Sequence, residues 1–210
     1  MDIVDPAIEG YMAELAAGDD NDVLLEMEAH AEELGFPIIG RLCGRLLEVM
    51  ARSIGARRIF ELGSGFGYSA YWWARATGPT GEIHLTDTDP GNEAKALDYL
   101  RRAGLDQPVT YHVADALEAL SATPGEFDIV YCDVDKEGYP GAWEAGRSRV
   151  RVGGLYICDN MLWSGRVIDP GGDASSHAID ATNRAIASDE AWRSTIVPTR
   201  DGVVVALRIE

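Results

Sequence analysis

The sequence predicts an α/β fold in which a mostly parallel seven-stranded sheet is wrapped on both faces by helices and closes on an antiparallel hairpin. Three observations predict it. From residue 58 onward, apolar runs of strand length alternate with helical segments in the order βαβαβα. Three glycines stand at the first strand-to-helix crossover, in Gly63-Ser64-Gly65-Phe66-Gly67. Two final strands flank Arg200-Asp201-Gly202, a turn signal.

The elements follow in order. From Asp5 to Leu34 the chain is rich in Ala, Glu, Leu and Met and is broken by GDDND at 18–22, which predicts two short helices separated by a turn and a cap. The segment 40–56 carries Leu42, Leu46, Leu47, Val49, Met50 and Ile54 at helical spacing and stops at Gly55. Strands are expected at 58–62, 82–87, 109–114, 127–134 and 154–160, and helices at 69–77, 91–104, 116–122, 139–150 and 177–188. A loop rich in Gly, Ser and Asp covers 164–176, and the closing strands are STIVPT and GVVVALRI. At 210 residues, with no repeat or linker, one domain over 1–210 is expected, its first 35 residues forming a helical flank.

Composition narrows the function. Eighteen Lys+Arg against 35 Asp+Glu leave a formal charge of −17, which excludes a nucleic-acid or anionic-membrane surface and favours cationic ligands. A hydrophobic content of 46% is that of a folded chain. The start, MDIVDPAIEG, has no signal-peptide pattern and no apolar run reaches membrane-span length, so a cytoplasmic protein is expected. Cys43, Cys132 and Cys158 lack CxxC spacing and are read as small core residues, and the four histidines form no catalytic or metal-binding pattern. Sixteen Arg beside two Lys in so acidic a chain fit a protein hydrated at high salt. Its melting temperature is expected to rise with KCl; a flat response leaves the acidity without this explanation.

The glycine turn lets backbone approach a ligand closely, although such turns also join strands to helices with nothing bound. Asp87 ends the next strand, twenty residues beyond Gly67, where a carboxylate in a doubly wound sheet receives ribose hydroxyls. A dinucleotide and S-adenosylmethionine (SAM) both present such a ribose. The spacing here is G-x-G-x-G with Tyr68 in place of the last glycine of a dinucleotide fingerprint, and Glu61 before the turn suits a sulfonium cation better than a pyrophosphate.

Asp133 ends one predicted parallel strand, and Asp159 with Asn160 ends another, so three oxygen donors converge at the carboxyl edge of the sheet. Hard donors of this kind match Mg²⁺, with Mn²⁺ and Ca²⁺ as alternatives. Each aspartate alone reads equally well as a loop cap; the set with Asn160 carries the argument. Lys136 is one of two lysines, the other being Lys95. Arginine stays protonated at any working pH, whereas lysine beside other positive charge is able to serve as a base.

ELGSGFGYSA, the strand ending TDTDP, VADALEAL, FDIVYCDVDK and YICDNMLWSGRV together resemble the cation-dependent O-methyltransferases, which include catechol O-methyltransferase, the plant caffeoyl-CoA enzymes and bacterial relatives. The resemblance covers roughly Phe36 to Arg208 and implies a Rossmann-like methyltransferase fold. It further implies that Glu61, Gly63, Ser64, Gly65 and Ser69 line the methionine and ribose part of SAM, Asp87 its ribose hydroxyls, Asp115 and Ala116 its adenine, with Asp135 also at the cofactor. Asp133, Asp159 and Asn160 are then the metal ligands, Asp133 and Lys136 the catalytic pair with Lys136 as general base, and Trp163 and Ser164 the acceptor wall. The flank 1–35 is implied to cover the acceptor site, and a homodimer is the expected assembly. Ser164 stands where the plant enzymes have Asn, Val134 replaces the usual Ala, and the acidic flank disfavours a CoA ester.

The expected reaction is methyl transfer to one hydroxyl of a small catechol-like phenol. A metal-free methyltransferase acting on protein or RNA is one alternative, the RNA case lacking the basic face it requires. A non-catalytic cofactor-binding module is another.

Overall fold

The computed structural model describes residues 3–18 and 21–210. Asp19 and Asp20, in the middle of the expected 18–22 turn, lie outside the described residues. The order is α1 (Pro6–Leu15), α2 (Asp22–Leu34), α3 (Gly40–Ser53), β1 (Arg58–Leu62), α4 (Tyr68–Thr77), β2 (Glu82–Asp87), α5 (Pro90–Arg102), β3 (Val109–Val113) and α6 (Ala116–Ala122). It continues with β4 (Phe127–Cys132), α7 (Tyr139–Arg147), β5 (Val150–Cys158), α8 (Ala174–Ser188), β6 (Trp192–Val197) and β7 (Val203–Arg208).

The seven strands lie in the order β3-β2-β1-β4-β5-β7-β6, the first five parallel and β7 antiparallel to both β5 and β6. Strand order reverses between β1 and β4, and that switch point opens a crevice at the carboxyl ends of these strands. Two cores cover the two faces. One joins Leu24, Met27, Leu47 and Trp72 of α2, α3 and α4 to Ile59, Ile83 and Ile129; the other joins Leu120, Trp143 and Ile179 of α6, α7 and α8 to Phe60, Val130 and Tyr156. The split follows from strand alternation, because consecutive residues such as Ile59 and Phe60 point to opposite faces. Cys43 is buried in the first core and Cys132 and Cys158 in the second, all as free thiols.

Local chemistry sets the ends of the elements. Asn21 caps α2 by accepting from Val23 N at 2.9 Å, and Gly35 ends that helix with φ 60°. Several ends shift by a few residues, and two element starts come three or four residues earlier than the sequence predicts. α8 starts at Ala174 rather than 177, because the Asp173 carboxylate accepts from Ser176 N at 3.3 Å and adds a turn to the helix. β5 starts at Val150 rather than 154, running through Gly153-Gly154, where Gly154 lies so close to Asp128 that an added Cβ would meet its carbonyl at 2.7 Å. No helix among the described residues is long and apolar enough to cross a membrane.

Candidate active site

The turn after β1 is pinned to β2 before any ligand is considered. Gly63 N donates to Thr86 Oγ1 at 3.0 Å, Ser64 N to Thr86 O at 2.8 Å, and Thr86 N to Ser64 Oγ at 3.1 Å. Gly63 has φ 81°, and a Cβ there would meet the Asp133 carbonyl at 2.6 Å, so only glycine lets β1 and β4 run this close at their ends. Gly65 has φ 47° and lies against the Phe36 ring, while its carbonyl accepts from Tyr111 OH at 2.6 Å. These bonds place Gly63, Ser64, Gly65 and Ser69 on the wall of a cleft of about 1410 Å³, with Asp87, Asp115 and Ala116 beside them.

Glu61 is not on that wall. It is fully buried behind Ser69, its carboxylate accepting from Ser69 Oγ and, at 2.8 Å, from Trp73 Nε1. The Ser69 hydroxyl stands between Glu61 and the cleft that Ser69 borders. Burial pushes the Glu61 carboxyl up to about 8, more than the Ser69 and Trp73 bonds lower it. A carboxyl raised above its ordinary value of 4.5 contributes stability below that pH, and loses it as pH rises through about 8. The contribution is on the order of a few kcal/mol. Thermal melts from pH 5 to 8.5 should show the native protein weakening relative to Glu61→Gln, which mimics the protonated acid; parallel pH profiles would contradict this account.

Asp115 caps α6, its Oδ1 accepting from Leu117 N at 2.9 Å and Glu118 N at 3.0 Å, so it serves the helix as well as bordering the cleft. Asp87 Oδ1 accepts from Asp89 N at 2.8 Å, which fixes the carboxylate at the end of β2.

Asp133 and Asp159 lie one residue beyond β4 and β5, and the ladder continues under them: Asp133 N donates to Leu62 O at 2.9 Å and Asp159 N to Cys132 O at 3.2 Å. Both border the cleft, as do Asn160, Asp135 and Lys136. Asp159 is only 5% exposed and its Oδ1 has no hydrogen-bond partner among the described residues. Burial, followed by the Asp133 charge, pushes its carboxyl well up. Lys136 Nζ stands 3.0 Å from Asp133 Oδ1 and 5.0 and 5.8 Å from the Tyr139 and Trp163 ring centroids. Among the described residues no group of three or more His, Cys, Asp and Glu side chains is placed to hold a metal; the expected donors are two carboxylates and an amide.

Asn160, Trp163 and Ser164 have φ of 58°, 46° and 52°, a run of left-handed residues that turns the chain sharply after β5. Trp163 borders the cleft with its indole N–H donated to Asp173 Oδ2 at 3.3 Å. Ser164 does not border it. Its backbone N–H and its hydroxyl both face the Asp201 carboxylate, which anchors the loop instead of lining a pocket.

The remaining wall comes from residues to which the sequence assigned no site role. Glu28, Ala31 and Glu32 of α2, Phe36, Tyr68 and Arg200 all border the cleft. Tyr68 OH donates to Glu28 Oε1 at 2.8 Å, and Arg41 grips the same carboxylate through Nε and Nη2, each at 2.8 Å. This network holds α2 against α4, so part of the flank forms one side of the cleft. Tyr68 carried a signal as the residue that breaks the dinucleotide spacing; Glu28 carried none.

The O-methyltransferase family profile matches residues 15–209 of this chain. The catechol O-methyltransferase of Mycobacterium tuberculosis is 28% identical over 209 residues, 96% of this chain and 95% of the relative. The catechol O-methyltransferase of Niastella koreensis is 31% identical over 169 residues, 78% of this chain and 76% of the relative. Among solved structures, the O-methyltransferase TomG from Streptomyces achromogenes, involved in tomaymycin synthesis and determined in complex with SAM, superposes with a TM-score of 0.88 at 26% identity, covering 97% of this chain and 96% of its own. With the strand order, the glycine turn and this match over nearly the full length, the chain belongs to the O-methyltransferase family.

Proposed function

We propose that this O-methyltransferase takes its methyl group from SAM and, with a divalent cation, transfers it to one hydroxyl of a small catechol-like phenol. The carrying observation is Asp159: a buried carboxylate with one unpartnered oxygen, next to Asp133, at the cleft that the glycine turn and Asp87 also border. Lys136 neutralises Asp133 but leaves Asp159 Oδ1 without a partner among the described residues, so this second carboxylate is costly without a further cation. The residues therefore fit a hard divalent ion held by Asp133, Asp159 and Asn160, most simply Mg²⁺. Bound there, the ion supplies Lewis acidity that makes a coordinated hydroxyl easier to ionise.

The chain's own residues do the rest. The glycine turn and Ser69 hold the methionine part of SAM, and Asp87 accepts from its ribose hydroxyls. Asp135, Asp115 and Ala116 complete the cofactor side, while Trp163 walls the ring of the acceptor. A free phenol ionises near pH ~10; with a cation drawing Asp133 out of its ion pair, Lys136 Nζ, once it has given up its own proton to solvent, would take the hydroxyl proton as the oxygen forms its bond to the methyl carbon. The carbon–sulfur bond breaks in line, and its electron pair stays on sulfur as neutral thioether. Charge disappears in this step, so the site works chiefly by holding oxygen and carbon at attack distance.

The names of the relatives support the donor and the catechol acceptor, and the acidic surface disfavours RNA. Purified protein with SAM and a panel of catechols should form methyl ethers with Mg²⁺ and stop when it is chelated. Equal activity after complete chelation removes the cation from the reaction.

A further inference from the structure

The turn between β6 and β7 is fastened to the loop that carries Asn160 and Trp163. Met161 N donates to Gly202 O at 2.8 Å, Leu162 N to Asp201 O at 2.9 Å, and the Ser164 backbone N–H to the Asp201 carboxylate. Gly202 sits so close to Leu162 that an added Cβ would lie 2.5 Å from its Cγ. Arg200, at the tip of this turn, is thereby fixed relative to the proposed acceptor wall.

Three features set Arg200 apart. It has φ 48°, a conformation that glycine or asparagine adopts more cheaply than arginine. Among the described residues its guanidinium makes one hydrogen bond, Nη1 to Ile38 O at 2.6 Å, and pairs with no carboxylate. Many of the other arginines pair with acids, as in Arg41–Glu28 and Arg151–Asp128, or are taken up by several carbonyls, as Arg149 is. Arg200 also borders the cleft, where the other basic group among the described residues, Lys136, is already paired with Asp133. Its guanidinium reaches the Ile38 carbonyl, between α2 and α3, while its own turn is fastened to the loop after Asn160, so it bridges the flank side of the cleft and the proposed cation site.

A planar fork with spare N–H donors is the group that grips a carboxylate in two-point contact. Acids such as Glu28, Glu32 and Glu137 also border the cleft and disfavour an anion away from Arg200. We propose that Arg200 is a specificity-determining residue that reads a carboxylate on the acceptor, so that ortho-dihydroxy aromatic acids are preferred over neutral catechols. This rests on the catechol-like reading of the acceptor site and names the substituent that reading leaves open.

The test is calorimetric binding of catechol and of 3,4-dihydroxybenzoate to protein loaded with Mg²⁺ and S-adenosylhomocysteine, where no turnover occurs. The native protein should prefer the acid by about tenfold to a hundredfold, the worth of a hydrogen-bonded charge pair. Arg200→Gln should bring the ratio of the two dissociation constants close to one, and Arg200→Lys should give an intermediate ratio because a point charge replaces the fork. A native ratio near one overturns the proposal. So does an unchanged ratio in Arg200→Gln, since a mere latch on Ile38 would weaken both ligands alike, and so does failure of both ligands to bind. Methyl transfer is measured alongside: Arg200-dependent binding of the acid with neither compound methylated removes the catechol reaction and leaves the anion subsite standing.

Discussion

Replacing Asp159 with asparagine should lower kcat/KM by about 10³-fold, the several kcal/mol that a bound cation contributes to a transition state, and should abolish the response to Mg²⁺. The same change should raise the melting temperature of metal-free protein. The reason is the arrangement at the ends of β4 and β5: Asp159 is buried, its Oδ1 is unpartnered among the described residues, and the Asp133 charge opposes its ionisation. An amide has no charge to desolvate and no repulsion from Asp133, so the fold gains where the chemistry loses. Asp133→Ala should share the catalytic loss, and it also frees Lys136, whose 3.0 Å ion pair it removes. Opposite signs in stability and activity mark a residue held for function. If Asp159→Asn loses both together, Asp159 is a structural carboxylate and the cation site is misplaced. The pair of measurements is a thermal melt in chelator and initial rates across a Mg²⁺ titration.

Lys136→Met should lower kcat by about 10²- to 10⁴-fold, the range over which a positioned proton acceptor accelerates a reaction. Methionine keeps an apolar stem of similar length against Tyr139 and Trp163, whose ring centroids lie 5.0 and 5.8 Å from Nζ, so the pocket keeps its packing. The diagnostic readout is the acceptor's acidity. A nitro-substituted catechol ionises without help, so it should recover most of the lost rate, while unsubstituted catechol should not. A loss of equal size for both acceptors assigns Lys136 to holding Asp133 in place rather than to moving the proton.

The fold was legible because its signals are local. Strand-length apolar runs alternating with helical spacing gave five parallel strands within a few residues of their observed ends, and Arg200-Asp201-Gly202 marked the hairpin between β6 and β7. The two early starts had local causes that pattern alone underweights: a carboxylate cap at Asp173, and a glycine pair that lets β5 begin early. Much of the candidate site was legible too. Strand direction brings the residues at and just beyond the carboxyl ends of the parallel strands to the crevice edge, and Asp87, Asp133 and Asp159 all border the cleft.

The sequence by itself determined the sheet, its polarity and the edge at which glycines and carboxylates gather, since these follow from periodicity and strand direction. Only the tertiary structure decided which of those side chains face open space. Glu61 stands behind Ser69, and Ser164 turns to Asp201, because the rotamer and loop geometry of each are set by partners distant in sequence, Trp73 for one and the hairpin turn for the other. Packing likewise brought Glu28 and Arg200 to one cleft across more than 170 residues of chain. No local pattern carries that information, because a contact between remote segments depends on the whole set of layers that brings them together.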